Sequence, residues 1–256
     1  TSLQSAGAEL AQIFRGRRAT QRGAHEAAGR PVWPNEQDAR LVPAQASLVG
    51  EHGFSGNGVP EGFRFALPAA QDLMPPLTFT QSDAGGATRL RWSAIPHARA
   101  YFLMAMGQKE GDGEHMVIWT ASELPDSGFG LLDYQTNAAV DRWLGEKVLL
   151  AATTTECTVP RGVFGDGAML RAIAYGNELN LVHPPRPADP KIAWQPQWAV
   201  KVRVKSVAMA MLGDDGEAES AGGTAPATAP EPPPAAAKPE DPLQKSIGVL
   251  RGILGR

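Results

Sequence analysis

Three groups of residues in this chain have types and spacings that chemistry can use. Asp126-Ser127-Gly128 has the form of a carboxylate held in a Gly-bounded loop, the arrangement that lets two aspartates share a proton for hydrolysis. That chemistry needs a second copy of the triplet or a homodimer, and the sequence contains no second D-[ST]-G; Pro125-Asp126-Ser127-Gly128 is also an ordinary turn sequence. Cys157 is the only cysteine and becomes a nucleophile if His97, His115 or His183 reaches it. Its neighbours Thr158 and Val159 instead suit a strand in which a thiol packs as a small hydrophobe. Trp194 and Trp198, in Ala193-Trp194-Gln195-Pro196-Gln197-Trp198, are the two tryptophans outside expected core faces and are the possible ligand-binding pair, as a sugar platform; packing of a Pro-rich crossing segment is the competing reading. The histidines stand singly, without H-x-x-x-H or C-x-x-C spacing, so no metal is expected. No G-x-S-x-G, Walker or dinucleotide glycine pattern is present, so no cofactor is expected.

The elements that would position these residues are mostly strands. The chain has 256 residues, 43% of them hydrophobic, enough to bury a core, and its 28 glycines and 22 prolines punctuate short apolar runs in the manner of turn-rich β architectures. Leu48-Val49, Phe63 with Phe65, and Leu77 with Phe79 are separated by Gly56-Asn57-Gly58 and Pro75-Pro76. The clearest strand is Arg89 to Ala94, where Leu90, Trp92 and Ala94 alternate with polar positions. Tyr101 to Met106 lacks a strongly polar position and reads as a central strand covered on both faces. A turn at Asp112-Gly113 leads into a strand over Met116 to Thr120. Asp133 to Leu144 breaks the pattern as a helix, with Asp133 as cap, Ala139, Val140, Trp143 and Leu144 on one face, and Gly145 as stop. Strands over Val148 to Thr153, Cys157 to Val159 and Ala168 to Tyr175 follow, the last after a turn at Gly165-Asp166-Gly167. The stretch 180–198 is a long connection. In the final strand Val200, Val202 and Val204 alternate with Lys201, Arg203 and Lys205, which read as a solvated face.

Leu90-Arg91-Trp92, followed by Pro96, Ala98 and the Ala100-Tyr101 start of the next run, resembles the second and third strands of a fibronectin type III domain, or more broadly an immunoglobulin-like sandwich. Cys157-Thr158-Val159-Pro160 and the run ending Ile173-Ala174-Tyr175-Gly176-Asn177 resemble its later strands. The resemblance covers about residues 77 to 210. It implies an antiparallel β-sandwich with one inserted helix, used as a binding or spacer module; a fold of this kind does not by itself establish a function.

Outside that body, taken as residues 41–212, composition changes. Residues 213–242 read as a disordered Pro/Ala-rich acidic linker, with seven acids against Lys238 over residues 214–241, too poor in large apolar groups to offset chain entropy. Residues 1–18 read as an amphipathic segment on Leu3, Ala6, Leu10 and Phe14, and residues 243–256 as a basic amphipathic tail on Leu243, Ile247, Leu250 and Leu254, with Arg251 beside the stripe. Residues 19–40 form an extended connection in which Trp33 is read as an anchor onto the body. Net charge is −3, with the basic charge at the two ends, whereas nucleic-acid binding places it on the folded body; no nucleic acid is expected. No apolar run approaches a membrane span. Thr1 in place of methionine fits removal of a leader or trimming. Together with the linker it sets the expectation of an exported bacterial protein, periplasmic or at the cell surface. The functional expectation is a non-enzymatic scaffolding protein whose terminal segments dock a protein partner in an envelope assembly, or an anionic membrane surface. The alternatives are a hydrolase with a loop-built site around Asp126, Asp133, Cys157 and His183, and a carbohydrate-binding module using Trp194 and Trp198.

Overall fold

A computed structural model describes residues 28–35, 42–124 and 126–213. The chain divides into two units, Thr1–Gly223 and Thr224–Arg256, and all described residues belong to the first. The expected linker and the docking positions Leu3, Leu10, Phe14, Leu243, Ile247, Leu250, Arg251 and Leu254 lie outside the described residues.

The body is mainly β, with antiparallel sheets and one helix. A hairpin joins β1 (Gly50–Gly53) and β2 (Arg64–Leu67). β3 (Phe79–Asp83), β4 (Thr88–Trp92) and β8 (Glu156–Val159) form a three-stranded sheet in the order β3-β4-β8. β5 (Ala100–Lys109), β6 (Asp112–Thr120), β9 (Phe164–His183) and β10 (Trp198–Leu212) form a larger sheet in the order β10-β9-β5-β6, with the short β7 (Leu150–Ala151) also on β5. The helix α1 (Asn137–Gly145) lies in the crossover from β6 to β7.

Alternation in β4 has the consequence its period dictates. Leu90 and Trp92 are buried, while Arg89 and Arg91 turn outward to Glu156 of β8, the Arg91 Nε–Glu156 Oε2 distance being 2.6 Å. β5 is apolar throughout because each face has a cover. Tyr101, Leu103 and Ala105 share one core with Leu77, Phe79, Leu90 and Trp92 of the three-stranded side. Ala100, Phe102 and Met104 share a second core with Val140 and Trp143 of α1 and with Leu131, Val148, Ile173 and Tyr175. Trp92 meets Tyr101 edge-on at 5.4 Å between ring centroids, and the Tyr101 hydroxyl accepts the Ile95 N–H at 2.8 Å.

Several expected boundaries move. Strand β4 ends at Trp92, so Ala94 is exposed and Ile95 takes the next core position. The cap of α1 is Thr136, whose hydroxyl accepts the Ala139 N–H at 3.2 Å, and not Asp133, whose carboxylate is taken by the Tyr134 N–H at 2.6 Å. Leu144 is only partly buried. The reversal between β5 and β6 falls at Glu110-Gly111, where Gly111 supplies φ 71°, so Asp112 already belongs to the strand. Likewise β9 runs straight through Gly165-Asp166-Gly167, its turn lying at Arg161-Gly162 with Gly162 at φ 78°, and it continues past Tyr175 to His183. Of Val148 to Thr153 only Leu150–Ala151 pairs as strand. The connection before the last strand is correspondingly shorter, residues 184–197. Trp33, expected as an anchor, is 51% exposed.

The expected solvated stripe on β10 is corrected most. A register shift between Arg203 and Lys205 interrupts the alternation, and both side chains turn into a seam against the helix side. Arg203 pairs with Glu178 at 2.7 Å with side chains 10% and 9% exposed, and Lys205 reaches the Leu132 carbonyl at 3.2 Å.

Candidate interaction surface

On the helix side of the larger sheet, the β6–β7 crossover covers only part of the face. Gly128 sits where it can because it has no side chain: at φ 76°, a Cβ there would lie 2.8 Å from the Phe102 ring and 3.2 Å from the Met104 sulfur. Further along the same face the outward apolar residues are exposed. Register places Met211, Met169, Met106 and Ile118 directly across from one another on β10, β9, β5 and β6. The adjacent row is Met209, Arg171, Met104 and Thr120, and on the other side Met116 stands opposite Gln108. Exposure is 61% at Met116, 52% at Met211, 44% at Met169 and 38% at both Ile118 and Met209. Six of the chain's seven methionines therefore share one sheet face, and five of them lie beyond the buried core. Inward positions of the same strands, Ala168, Leu170, Ala172, Ala208 and Leu212, are buried, so the row is the outward half of an ordinary alternation whose outward residues are apolar. Exposed apolar patches of this kind mark interaction sites, and unbranched, polarizable methionine adapts to a partner's shape.

A polar seam lies on the same face further along β10 and β9, at Lys205 and Tyr175, three register rows from the methionine row. The Lys205 ammonium lies 4.3 Å from the Tyr134 ring centroid and 3.9 Å from Asp133 Oδ1. Burial pulls the Lys205 pKa down, opposed by Asp133 and reinforced by Arg171. Burial raises the Tyr134 hydroxyl, and burial again raises Tyr175, whose hydroxyl donates to the Leu131 carbonyl. The groups are packed against the carbonyls and rings they contact, the half-buried ammonium lying against the Tyr134 ring and the Leu132 carbonyl. The seam fastens the crossover onto β9 and β10.

Of the residues singled out from the sequence, Asp133 lies in this seam and His183 meets Trp198, while the others are placed apart. Asp126 closes a local turn by accepting the Gly128 N–H at 2.7 Å. Cys157 packs against the core between the three-stranded and larger sheets, with burial raising its pKa, across the larger sheet from Asp133. His183 ends β9 and stacks on Trp198 at 5.2 Å. Trp198 begins β10 and also stacks on Phe63 at 4.8 Å, in an aromatic cluster that continues through Phe65, Phe54 and His52. Trp194 donates its indole N–H to the Pro184 carbonyl at 2.9 Å, beside Arg186, within a crossing segment that folds around a cavity of about 300 Å³. No ring contact joins Trp194 to Trp198 among the described residues. Among the described residues no three His, Cys, Asp or Glu side chains are grouped to hold a metal, and no helix is long and apolar enough to cross a membrane. The methionine face was missed by the sequence reading. Its signal is the alternate placement of Met209 and Met211, and of Met104 and Met106, which marks a face but not whether that face is covered.

No family model, curated protein or solved structure matches the chain.

Proposed function

We propose that this chain is a non-enzymatic binding and scaffolding protein, built on a fibronectin type III-like sandwich, that docks a protein partner on its methionine face. The observation that carries the reading is the row Met211–Met169–Met106–Ile118, exposed at Met211, Met169 and Ile118 and partly buried at Met106. The sandwich reading is supported by seven antiparallel strands in sheets β3-β4-β8 and β10-β9-β5-β6 that share one core, with the motif residues Leu90, Trp92 and Tyr101 inside it. The Pro/Ala-rich acidic linker motivates placement in a bacterial envelope, and cell fractionation tests it: a protein recovered wholly with the cytoplasm would remove that setting. Recruitment through the terminal segments is the second part of the proposal. Leu250→Asp is expected to abolish it without changing thermal stability, and unchanged recruitment would remove the tail from the reading.

The docking face is tested by replacing Met106, Met169 and Met211 together with glutamine. Side chain length is retained and apolarity is lost. Proteins that co-purify with the full chain are expected to be lost from the variant, while its circular dichroism spectrum is unchanged. An identical set on wild type and variant refutes the docking face.

A further inference from the structure

Among the described residues, the register rows that adjoin this one hold a single charged side chain, and its state specifies the partner. Arg171 lies in the adjacent row on β9, between Met209 of β10 and Met104 of β5. It is partly buried, its Nε is shielded from solvent, and among the described residues it makes no hydrogen bond or ion pair. The two carboxylates of the seam on this face are occupied: Asp133 by the Tyr134 N–H and Lys205, Glu178 by Arg203. Lys205 itself is directed to the Leu132 carbonyl. A partner that covers the methionine row takes Arg171 out of water as well, and a desolvated cation without a counter-charge is strongly unfavourable.

Resting on the docking reading above, we infer that the segment which covers this face is an apolar peptide segment carrying a carboxylate that pairs with Arg171. The guanidinium suits this task, since its planar fork matches a carboxylate with two parallel N–H donors, and Arg and Met are each enriched at protein interfaces. Four strands at about 4.8 Å spacing make the row about 14 Å long, and Arg171 stands two residues, about 7 Å, to its side. The partner therefore presents an apolar edge with its acid on one flank.

The experiment measures binding of an amphipathic Leu/Glu peptide of about fifteen residues, and of its Leu/Gln and Leu/Lys counterparts, to the full chain by fluorescence anisotropy. Wild type is expected to bind Leu/Glu about tenfold more tightly than Leu/Gln, the scale of a desolvated charge-assisted bond, and Leu/Lys most weakly. Arg171→Gln is expected to erase the Glu-over-Gln preference, Arg171→Lys to keep part of it, and Lys205→Gln to leave it in place. Comparing peptides on wild type keeps the test independent of whether a variant folds. Equal binding of Leu/Glu and Leu/Gln, with both weakened by Met106→Gln and Met169→Gln, leaves the docking face standing and overturns the carboxylate. Failure of all three peptides to bind, or binding indifferent to the methionines, overturns both. Arg171-dependent binding to phosphatidylserine vesicles in place of the Leu/Glu peptide also overturns the inference.

Discussion

Trp92→Ala tests whether the two larger sheets share one core. Trp92 is 7% exposed and meets Tyr101 of the facing sheet edge-on at 5.4 Å. Truncating a buried aromatic costs about 3–5 kcal/mol, including about 0.5–1.5 kcal/mol from the ring pair. For a body of this size each kcal/mol lowers Tm by about 2–4 °C, so the expected shift is about 6–20 °C. The structure also orders the milder variants. The buried Trp92 indole N–H has no partner among the described residues, so Trp92→Phe removes an unsatisfied donor along with some area, and its cost is expected well below that of Trp92→Ala. Tyr101→Phe instead deprives the Ile95 N–H of its acceptor, at about 1–3 kcal/mol. Urea denaturation with an unchanged m-value reads all three. A cost below about 1 kcal/mol for Trp92→Ala, against that 3–5 kcal/mol range, would mean that the ring does not bridge the sheets.

The Met106→Gln, Met169→Gln, Met211→Gln triple variant is expected to reduce binding of a hydrophobic dye while moving stability by less than about 1 kcal/mol, since these side chains stand outside the core; a collapse of stability would show that the face is covered. Gly128→Ala places a methyl against Phe102 in a left-handed conformation and is expected to destabilise by more than about 1 kcal/mol, measured by thermal melting. Burial raises the Cys157 thiol, so its reaction with a disulfide reagent at pH 8 is expected to follow unfolding, and rapid reaction with the folded chain would contradict its placement. Asp72 accepts the N–H groups of Leu48 and Leu73 and the Ser47 hydroxyl, which hold its carboxyl below the usual range. Its contribution is therefore fully present above the unfolded pKa near about 4 and is lost as pH falls through the lower folded value. The protection of the Leu48 amide, its exchange relative to an unstructured amide at the same pH, is expected to fall on acidification below about pH 4 and to be small at all pH values in Asp72→Ala.

The strands with an alternating or wholly apolar pattern were legible because period and burial are local properties. Leu90 and Trp92 had to face one way, and β5 had to be covered on both sides. The helix was legible for the same reason, through Ala139, Val140 and Trp143. Turn positions were not, since Asp112-Gly113 and Gly165-Asp166-Gly167 satisfy turn chemistry as well as Glu110-Gly111 and Arg161-Gly162 do. The choice between them depends on pairing with β5, whose partners are distant in sequence. Lys201, Arg203 and Lys205 show the same limit: an alternation of valine and cation predicts a wet face, but the register shift at Val204 and the crossover above it bury two of the three. The methionines show it most clearly. Six residues on four strands become one surface only when register aligns them, and whether that surface is exposed is decided by what packs over it, the crossover at Gly128 meeting Phe102 and Met104 while Met116, Met169, Met209 and Met211 stay exposed. Sequence determines which side of its strand each residue takes, whereas what lies over that side is set by tertiary packing.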